Sequence, residues 1–256
     1  MAADMLPSFA APRVDFVVGG VQKGGTTALD RLLRTHPAVA MARAKEPHWF
    51  DQDALFASGD PDPVPYHGQW GDALAQRLCG DATPSYVWWP GAIERIHAYH
   101  PAMKWIVLLR DPVERAYSHW NMQRERGREP LAFDEALDAE PLRMASGDPT
   151  AQRRHSYASR GYYARQLVAL WSRFPRDQVL VLLSEDLRGR ASATAAAVTD
   201  FLGLDPFASV PEVSANEGDY ATPMKASDRA RLVALYRADV TELERLLGRS
   251  FAHWFA

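Results

Sequence analysis

Residues Val14-Asp15-Phe16-Val17-Val18-Gly19-Gly20-Val21-Gln22-Lys23-Gly24-Gly25-Thr26-Thr27-Ala28-Leu29 constrain the fold more than any other stretch of the chain. A short apolar run enters a glycine-rich turn with one lysine and two threonines, and a helical pattern follows. Such a unit is an anion cradle. Turn amides and a helix N-terminus converge on phosphate-like oxygens, and Lys23 adds a full positive charge. The spacing is not that of a Walker A loop, in which the lysine directly precedes the hydroxyl residue. Here Gly24 and Gly25 separate Lys23 from Thr26 and Thr27. By itself the turn says only that some phosphate-like anion docks at a helix N-terminus, and the spacing bears on which kind.

The rest of the composition narrows the class. A chain of 256 residues with 47% hydrophobic and 24% charged residues is sized for one large α/β domain. A net charge of −3 gives no reason to expect nucleic acid as a partner. One cysteine, Cys79, excludes an internal disulfide framework and a cysteine-rich metal site, and reads as a small buried hydrophobe. No apolar run approaches the ~18 residues of a membrane span, and residues 1–12 carry no signal-peptide pattern. The expectation is a cytoplasmic protein whose residues 1–12 form a flexible arm ahead of a domain at 13–256. Oligomeric state stays open, a homodimer included.

Strand and helix signals alternate along the chain. Val14–Val18, Gly80–Pro84, Lys104–Leu109 and Gln178–Leu183 read as strands. Helices are expected over Thr26–Arg34, Gly91–Tyr99, Pro112–Arg126, Leu131–Ala139, Tyr162–Phe174, Ala191–Leu202 and Ser227–Leu247, with a helical turn starting at Ser184. Asp111, Pro112 and Glu114 stand at N-cap, N1 and N3 of the third, the capping-box arrangement. Met41–Gln69 reads as an irregular, aromatic-rich loop region, Pro141–Tyr157 as a polar basic loop, and Val210–Pro223 as another loop. This alternation predicts one α/β domain with a central parallel sheet covered by helices on both faces.

A second constellation lies in Leu108-Leu109-Arg110-Asp111-Pro112-Val113-Glu114-Arg115-Ala116-Tyr117-Ser118-His119-Trp120. Arg110 ends a strand, where open α/β sheets bind their ligands. Ser118 follows two helical turns on, with Arg115 one turn before it on the same expected face. Arginine and serine here make a second anion pocket, separate from the Lys23 turn. A nucleotide with phosphates at both 5′ and 3′ positions needs two such pockets.

These two motifs resemble the 5′-phosphosulfate loop and the 3′-phosphate motif of the sulfotransferases that use 3′-phosphoadenylyl sulfate (PAPS). Three further stretches resemble the branch that includes the heparan-sulfate and related bacterial enzymes: Lys45-Glu46-Pro47-His48-Trp49-Phe50, Asp81-Ala82-Thr83-Pro84-Ser85-Tyr86 and Arg160-Gly161-Tyr162-Tyr163-Ala164-Arg165-Gln166-Leu167. The likeness runs in order from about residue 14 to the C-terminus. It implies a P-loop-like sulfotransferase fold and transfer of a sulfuryl group from PAPS to a hydroxyl or amine of a carbohydrate, glycolipid or small natural product, with no metal. Lys23 would hold the 5′-phosphate and neutralise the departing bridge oxygen, and Gly24, Gly25, Thr26 and Thr27 would cradle the phosphosulfate. Arg110 and Ser118 would take the 3′-phosphate, and Tyr162 joins the nucleotide residues by its motif. Glu46 matches the carboxylate base of heparan-type enzymes, while a histidine serves in small-molecule ones, so Glu46 and His48 are both candidate bases.

Two positions depart from the pattern. Ala82 stands where many heparan-type enzymes have a lysine, which weakens the case for a glycosaminoglycan acceptor. The region 214–225 lacks a Lys-Gly-Arg signature, and Lys225 is the candidate substitute. Ordinary roles compete: Glu46 as the ion-pair partner of Lys45, Ser118 as a helix-packing residue, and Trp88 and Trp89 as core rather than an acceptor platform. Asp111 reads as a helix cap rather than a Walker B ligand. Two other classes stay open, a P-loop kinase or NTPase using ATP-Mg and a non-catalytic protein that binds PAP, the desulfated nucleotide.

Overall fold

The computed structural model describes residues 13–210 and 223–255. The expected arm at 1–12 and nearly all of the 210–223 loop lie outside the described residues. In chain order the elements are β1 (Phe16–Gly20), α1 (Thr26–Leu33), β2 (Val39–Met41), α2 (Val64–His67), β3 (Leu78–Asp81), α3 (Ala92–Tyr99), β4 (Lys104–Leu109) and α4 (Pro112–Glu125). Then come α5 (Phe133–Ala145), α6 (Pro149–His155), α7 (Tyr163–Trp171), β5 (Val179–Leu183), α8 (Ser184–Gly189), α9 (Ala191–Leu202) and α10 (Ala226–Leu247). The five strands form one parallel sheet in the order β2-β3-β1-β4-β5.

Alternation along the strands divides the core into two layers. Phe16, Val18, Ile106, Leu108 and Leu182 pack with Leu29, Leu32 and Leu33 of α1 and Val198 and Leu202 of α9. Val17, Trp105, Val107, Leu109 and Leu183 face the other way, against residues of α3, α4, α5, α7 and α10. The sheet is thus covered on both faces, as all-parallel sheets require. The chain leaves β1 toward one edge and β4 toward the other, so the crevice beyond their carboxyl ends is the topological switch point. Among the described residues no helix is long and apolar enough to cross a membrane.

Three expectations change. Pro141–Tyr157 is not a loop: α5 continues through Pro141 to Ala145, and α6 follows. Asp148 caps α6 by accepting from the amides of Thr150 and Ala151, at 2.8 and 3.2 Å. Asp148-Pro149 therefore repeats the cap of α4, where Asp111 accepts from Val113 and Glu114. Glu114 does not close a capping box; its carboxylate takes Arg229 at 2.9 Å instead. The irregular 41–69 region holds α2 and begins at the end of β2, a three-residue strand too short to show a period.

Gly19 and Gly20 close β1 because the neighbouring layer leaves no room for side chains. A Cβ on Gly19 would lie 2.4 Å from the buried Trp105 ring, and one on Gly20 would lie 2.5 Å from Val87. Gly19→Ala is expected to cost about 1–3 kcal/mol, because overpacking forces a rigid ring to move. Urea unfolding checks this, and an unchanged midpoint would contradict the packing account.

Candidate active site

The turn after β1 is drawn tightly against β4. The amide of Val21 donates to the Leu108 carbonyl at 2.9 Å, and Gly24 N–H returns to the Val21 carbonyl at 2.8 Å. A Cβ on Gly24 would lie 2.5 Å from the Leu108 carbonyl oxygen, so only glycine lets the turn approach. Gly25, at φ 97°, is the N-cap of α1, and no side chain caps that helix. The first-turn amides consequently face the crevice, with the helix dipole behind them.

A cavity of about 300 Å³ opens there, lined by Gln22, Lys23, Gly25, Thr26, Thr27, Glu46, Arg110 and Ser118. Gly24 lies beneath them in the turn. Residues far apart in sequence, from the ends of β1 and β4 and the 45–50 loop, thus meet in one place. Arg110 is tied to the turn by a 3.3 Å hydrogen bond from Nη1 to the Lys23 carbonyl. Burial, then the charge of Arg110, lowers the Lys23 pKa, while Glu46 is among the charges that raise it.

Other lining residues escaped the motifs: Met122, Arg126, Ser184, Leu187 and Arg188. Ser118, Met122 and Arg126 fall at i, i+4 and i+8, one stripe of α4 running into its C-cap, and that spacing was a usable signal. Ser184 and Arg188 sit just past the carboxyl end of β5, the same strand-end rule that selected Arg110. Four cations, Lys23, Arg110, Arg126 and Arg188, therefore share the lining of the cavity with one carboxylate, Glu46.

Arg115 does not share the pocket. It is fully buried, and Nη2 donates to the Tyr157 carbonyl. Tyr162 lines a separate cavity with Leu137 and Pro141, edge-on to Tyr236. Lys225 makes an exposed ion pair with Asp134 at 2.8 Å. Trp88 and Trp89 are each covered on one face by a guanidinium, from Arg160 and Arg153 respectively.

The carboxylate side of the cavity is a charge relay in space. Lys45 Nζ lies 2.5 Å from Glu46 Oε1, so the ordinary ion pair and a place at the cavity coexist. His48 Nε2 is 3.4 Å from Glu46 Oε2, and Nδ1 is 2.8 Å from Asp51 Oδ2. Asp51 also receives Ser85 Oγ at 2.6 Å and Arg153 Nη1 at 2.8 Å. Burial works against the imidazolium, but the hydrogen bonds and charges of Asp51 and Glu46 prevail and raise His48 to about 9. Glu46 is held down at about 2 by His48 and Lys45 against its own desolvation, and Asp51 likewise at about 2 by His48, Ser85 and Arg153. At neutral pH the group is Glu46⁻, His48⁺, Asp51⁻. Asp51 was legible only as the i+3 neighbour of His48.

Backbone strain marks the same residues. Among the described residues, the non-glycine positions with positive φ are Lys23 (69°), Glu46 (61°) and His48 (55°). Each such conformation costs of order 1–3 kcal/mol and persists where surrounding structure enforces it, commonly at functional sites. No group of His, Cys, Asp and Glu suited to a metal ion occurs among the described residues.

A cavity at the switch point of a parallel sheet, lined by the lysine turn and by Arg110 and Ser118, defines a P-loop-like α/β domain. Within that class the chain belongs to the sulfotransferase family: the profile described as "Sulfotransferase family" matches residues 66–209. The chain is 32% identical over 188 residues to mouse heparan sulfate glucosamine 3-O-sulfotransferase 6, which covers 73% of this chain and 52% of that protein. It is 33% identical over 188 residues to human heparan sulfate glucosamine 3-O-sulfotransferase 3B1, with 73% and 45% covered. The chain spans about half the length of these curated relatives. A sulfotransferase from Alicyclobacillus acidocaldarius superposes with a TM-score of 0.80 at 28% identity, over 95% of this chain and 99% of that one. The sulfotransferase domain from the curacin biosynthetic pathway, at 15% identity and a TM-score of 0.52 over 88% and 98%, shares the fold.

The His48 clamp has a testable pH signature. Its folded pKa, about 9, exceeds the ordinary 6.5, so its contribution to stability is complete below pH 6.5 and is lost as pH rises through 9. NMR titration of the imidazole should give about 9 in the wild type and a value nearer 6.5 in Asp51→Asn. An unchanged value in the variant would contradict the clamp.

Proposed function

We propose that this chain transfers a sulfuryl group from PAPS to a hydroxyl, or an amine, of a carbohydrate, glycolipid or small natural-product acceptor. The observation that carries the reading is one cavity whose wall holds Lys23 with the α1 turn, Arg110 with Ser118, and an ionised carboxylate, Glu46. Two anion sites suit a donor bearing phosphates at both the 5′ and 3′ positions. The named relatives act on heparan sulfate glucosamine, which supports a glycan as the first acceptor to try.

Lys23 and the α1 amides hold the donor's phosphosulfate, and Arg110 and Ser118 hold its 3′-phosphate. During transfer the acceptor oxygen bonds to sulfur, the sulfur–bridge oxygen bond breaks, and its electron pair stays on the bridge oxygen beside Lys23. Positioning and charge stabilisation supply most of the catalysis in such a loose transfer. Glu46 takes the acceptor proton. A carboxylate of low pKa suffices because a hydroxyl forming a bond to sulfur becomes strongly acidic as the bond grows. His48 donates from both ring nitrogens, to Glu46 and Asp51, which leaves no lone pair for a base at neutral pH. It orients Glu46.

Release of PAP from PAPS over a panel of glycan, glycolipid and aromatic acceptors tests the reading. Lys23→Ala should lower turnover by roughly 10²–10³-fold, the cost of removing one electrostatic stabiliser. Glu46→Gln should lower kcat by roughly 10²–10⁴-fold while PAP affinity stays near the wild type, since the base serves only chemistry. Wild-type turnover in Glu46→Gln would refute the base assignment. PAP binding without transfer to any acceptor would favour a non-catalytic role.

A further inference from the structure

Asp81, at the carboxyl end of β3, is fully buried, and among the described residues it faces no basic group at ion-pair distance; three hydroxyls donate to it. Oδ1 accepts from Thr83 Oγ1 at 2.6 Å, and Oδ2 accepts from Tyr86 OH at 2.8 Å and Tyr66 OH at 2.9 Å. Two of those hydroxyls continue outward. Tyr86 OH accepts the amide of Trp49 at 3.0 Å, and Thr83 Oγ1 accepts the amide of His48 at 3.4 Å. Two relays from one buried carboxylate thus end on consecutive amides of the loop that carries Glu46 and His48 in left-handed backbone.

The direction of each hydrogen bond is fixed by the carboxylate. Burial pushes Asp81 up to about 6 against the hydrogen bonds of Thr83, Tyr86 and Tyr66, so at neutral pH it is ionised, has only lone pairs to offer, and takes the single protons of Thr83 and Tyr86. Their own lone pairs then point at the loop amides, the one arrangement in which both amides find acceptors. A neutral amide at position 81 would present a donor to one arm, so that hydroxyl would lose its acceptor and its proton would no longer fix which way its lone pairs point. Burial keeps Tyr86 protonated, with the nearby charge of Asp81 acting the same way, so the relay holds its sense. Tyr66 serves as an internal control, because its hydroxyl donates to Asp81 and, unlike those of Tyr86 and Thr83, is not the acceptor of either loop amide.

We propose that Asp81 is a positioning residue for the acceptor base: through Tyr86 and Thr83 it holds the strained 46–49 backbone so that Glu46 faces the cavity and His48 bridges Glu46 and Asp51. The inference rests on the reading of Glu46 as base. A carboxylate anchor is the device such a loop needs, since the left-handed residues would otherwise relax and move the base. Displacements of about 1 Å at a reacting group cost on the order of 10²-fold in rate.

The test uses the full chain and two readouts, PAP release with the acceptor found above and the NMR pKa of His48. Asp81→Asn and Tyr86→Phe should each lower kcat by roughly 10- to 100-fold with PAP affinity unchanged. In both, His48 should fall from about 9 toward 6.5 as it loses its carboxylate partners. Thr83→Val should act in the same direction and Thr83→Ser should restore function, while Tyr66→Phe should leave kcat and the His48 pKa near wild type. A folded Asp81→Asn or Tyr86→Phe with His48 still near 9, or Tyr66→Phe as damaging as Tyr86→Phe, would overturn the proposal. Should Asp81→Asn fail to fold, Tyr86→Phe and the Thr83 pair decide it. If His48 shifts as expected but Glu46→Gln stays active, the base reading fails and the positioning role stands.

Discussion

The close approach of the β1–α1 turn to the backbone of β4 is the constraint on which the site depends. The Val21–Leu108 hydrogen bond and the absence of a Cβ at Gly24 bring two strand ends together. Lys23 and Arg110 are then neighbours, joined by the bond from Arg110 to the Lys23 carbonyl. Two cations side by side repel, and each lowers the cost of holding a polyanion between them. The sheet pays for this arrangement through its packing, with Trp105 lying over Gly19 and Val87 over Gly20.

On the opposite wall, electrostatics divides labour between two residues that looked interchangeable. Glu46 and His48 share a loop and a strained backbone, yet Asp51 behind His48 makes the imidazole a standing cation. The carboxylate is thereby kept ionised, and both imidazole nitrogens face carboxylates. Ser85 and Arg153, which lie outside the cavity lining, in turn hold Asp51, so the protonation of His48 depends on residues beyond the cavity.

Local signals made the scaffold legible. The β1 turn, the apolar runs of β4 and β5, the Asp111 cap and the Gly203 and Gly248 helix ends all carry their information within a few residues. Short β2 and polar α6 carry little periodicity, although Asp148-Pro149 repeated a cap signature already recognised at Asp111-Pro112. For the site, Lys23, Glu46, Arg110 and Ser118 were nameable because each sits in a dense motif, and the parallel topology gathers them. Arg126 and Arg188 belong to no motif and become visible only when helix stripe and strand end converge. Arg115 shows the reverse limit: helical spacing put it beside Ser118, but its burial against Tyr157 took it out of the pocket. Tyr162 and Lys225 lie at other surfaces, with Pro141 and Asp134 as their respective neighbours.

Calorimetric titration with PAP and with ATP, each with and without Mg²⁺, tests the central claim that the cavity takes a nucleotide with phosphates at both its 5′ and 3′ positions. PAP should bind more tightly than ATP, independently of Mg²⁺. Arg110→Ala should weaken PAP by about 1.5–3 kcal/mol, roughly ten- to a hundredfold, the worth of a charge-assisted contact. Tight Mg²⁺-dependent ATP binding with no PAP binding, or an Arg110→Ala variant that binds PAP like the wild type, would contradict it.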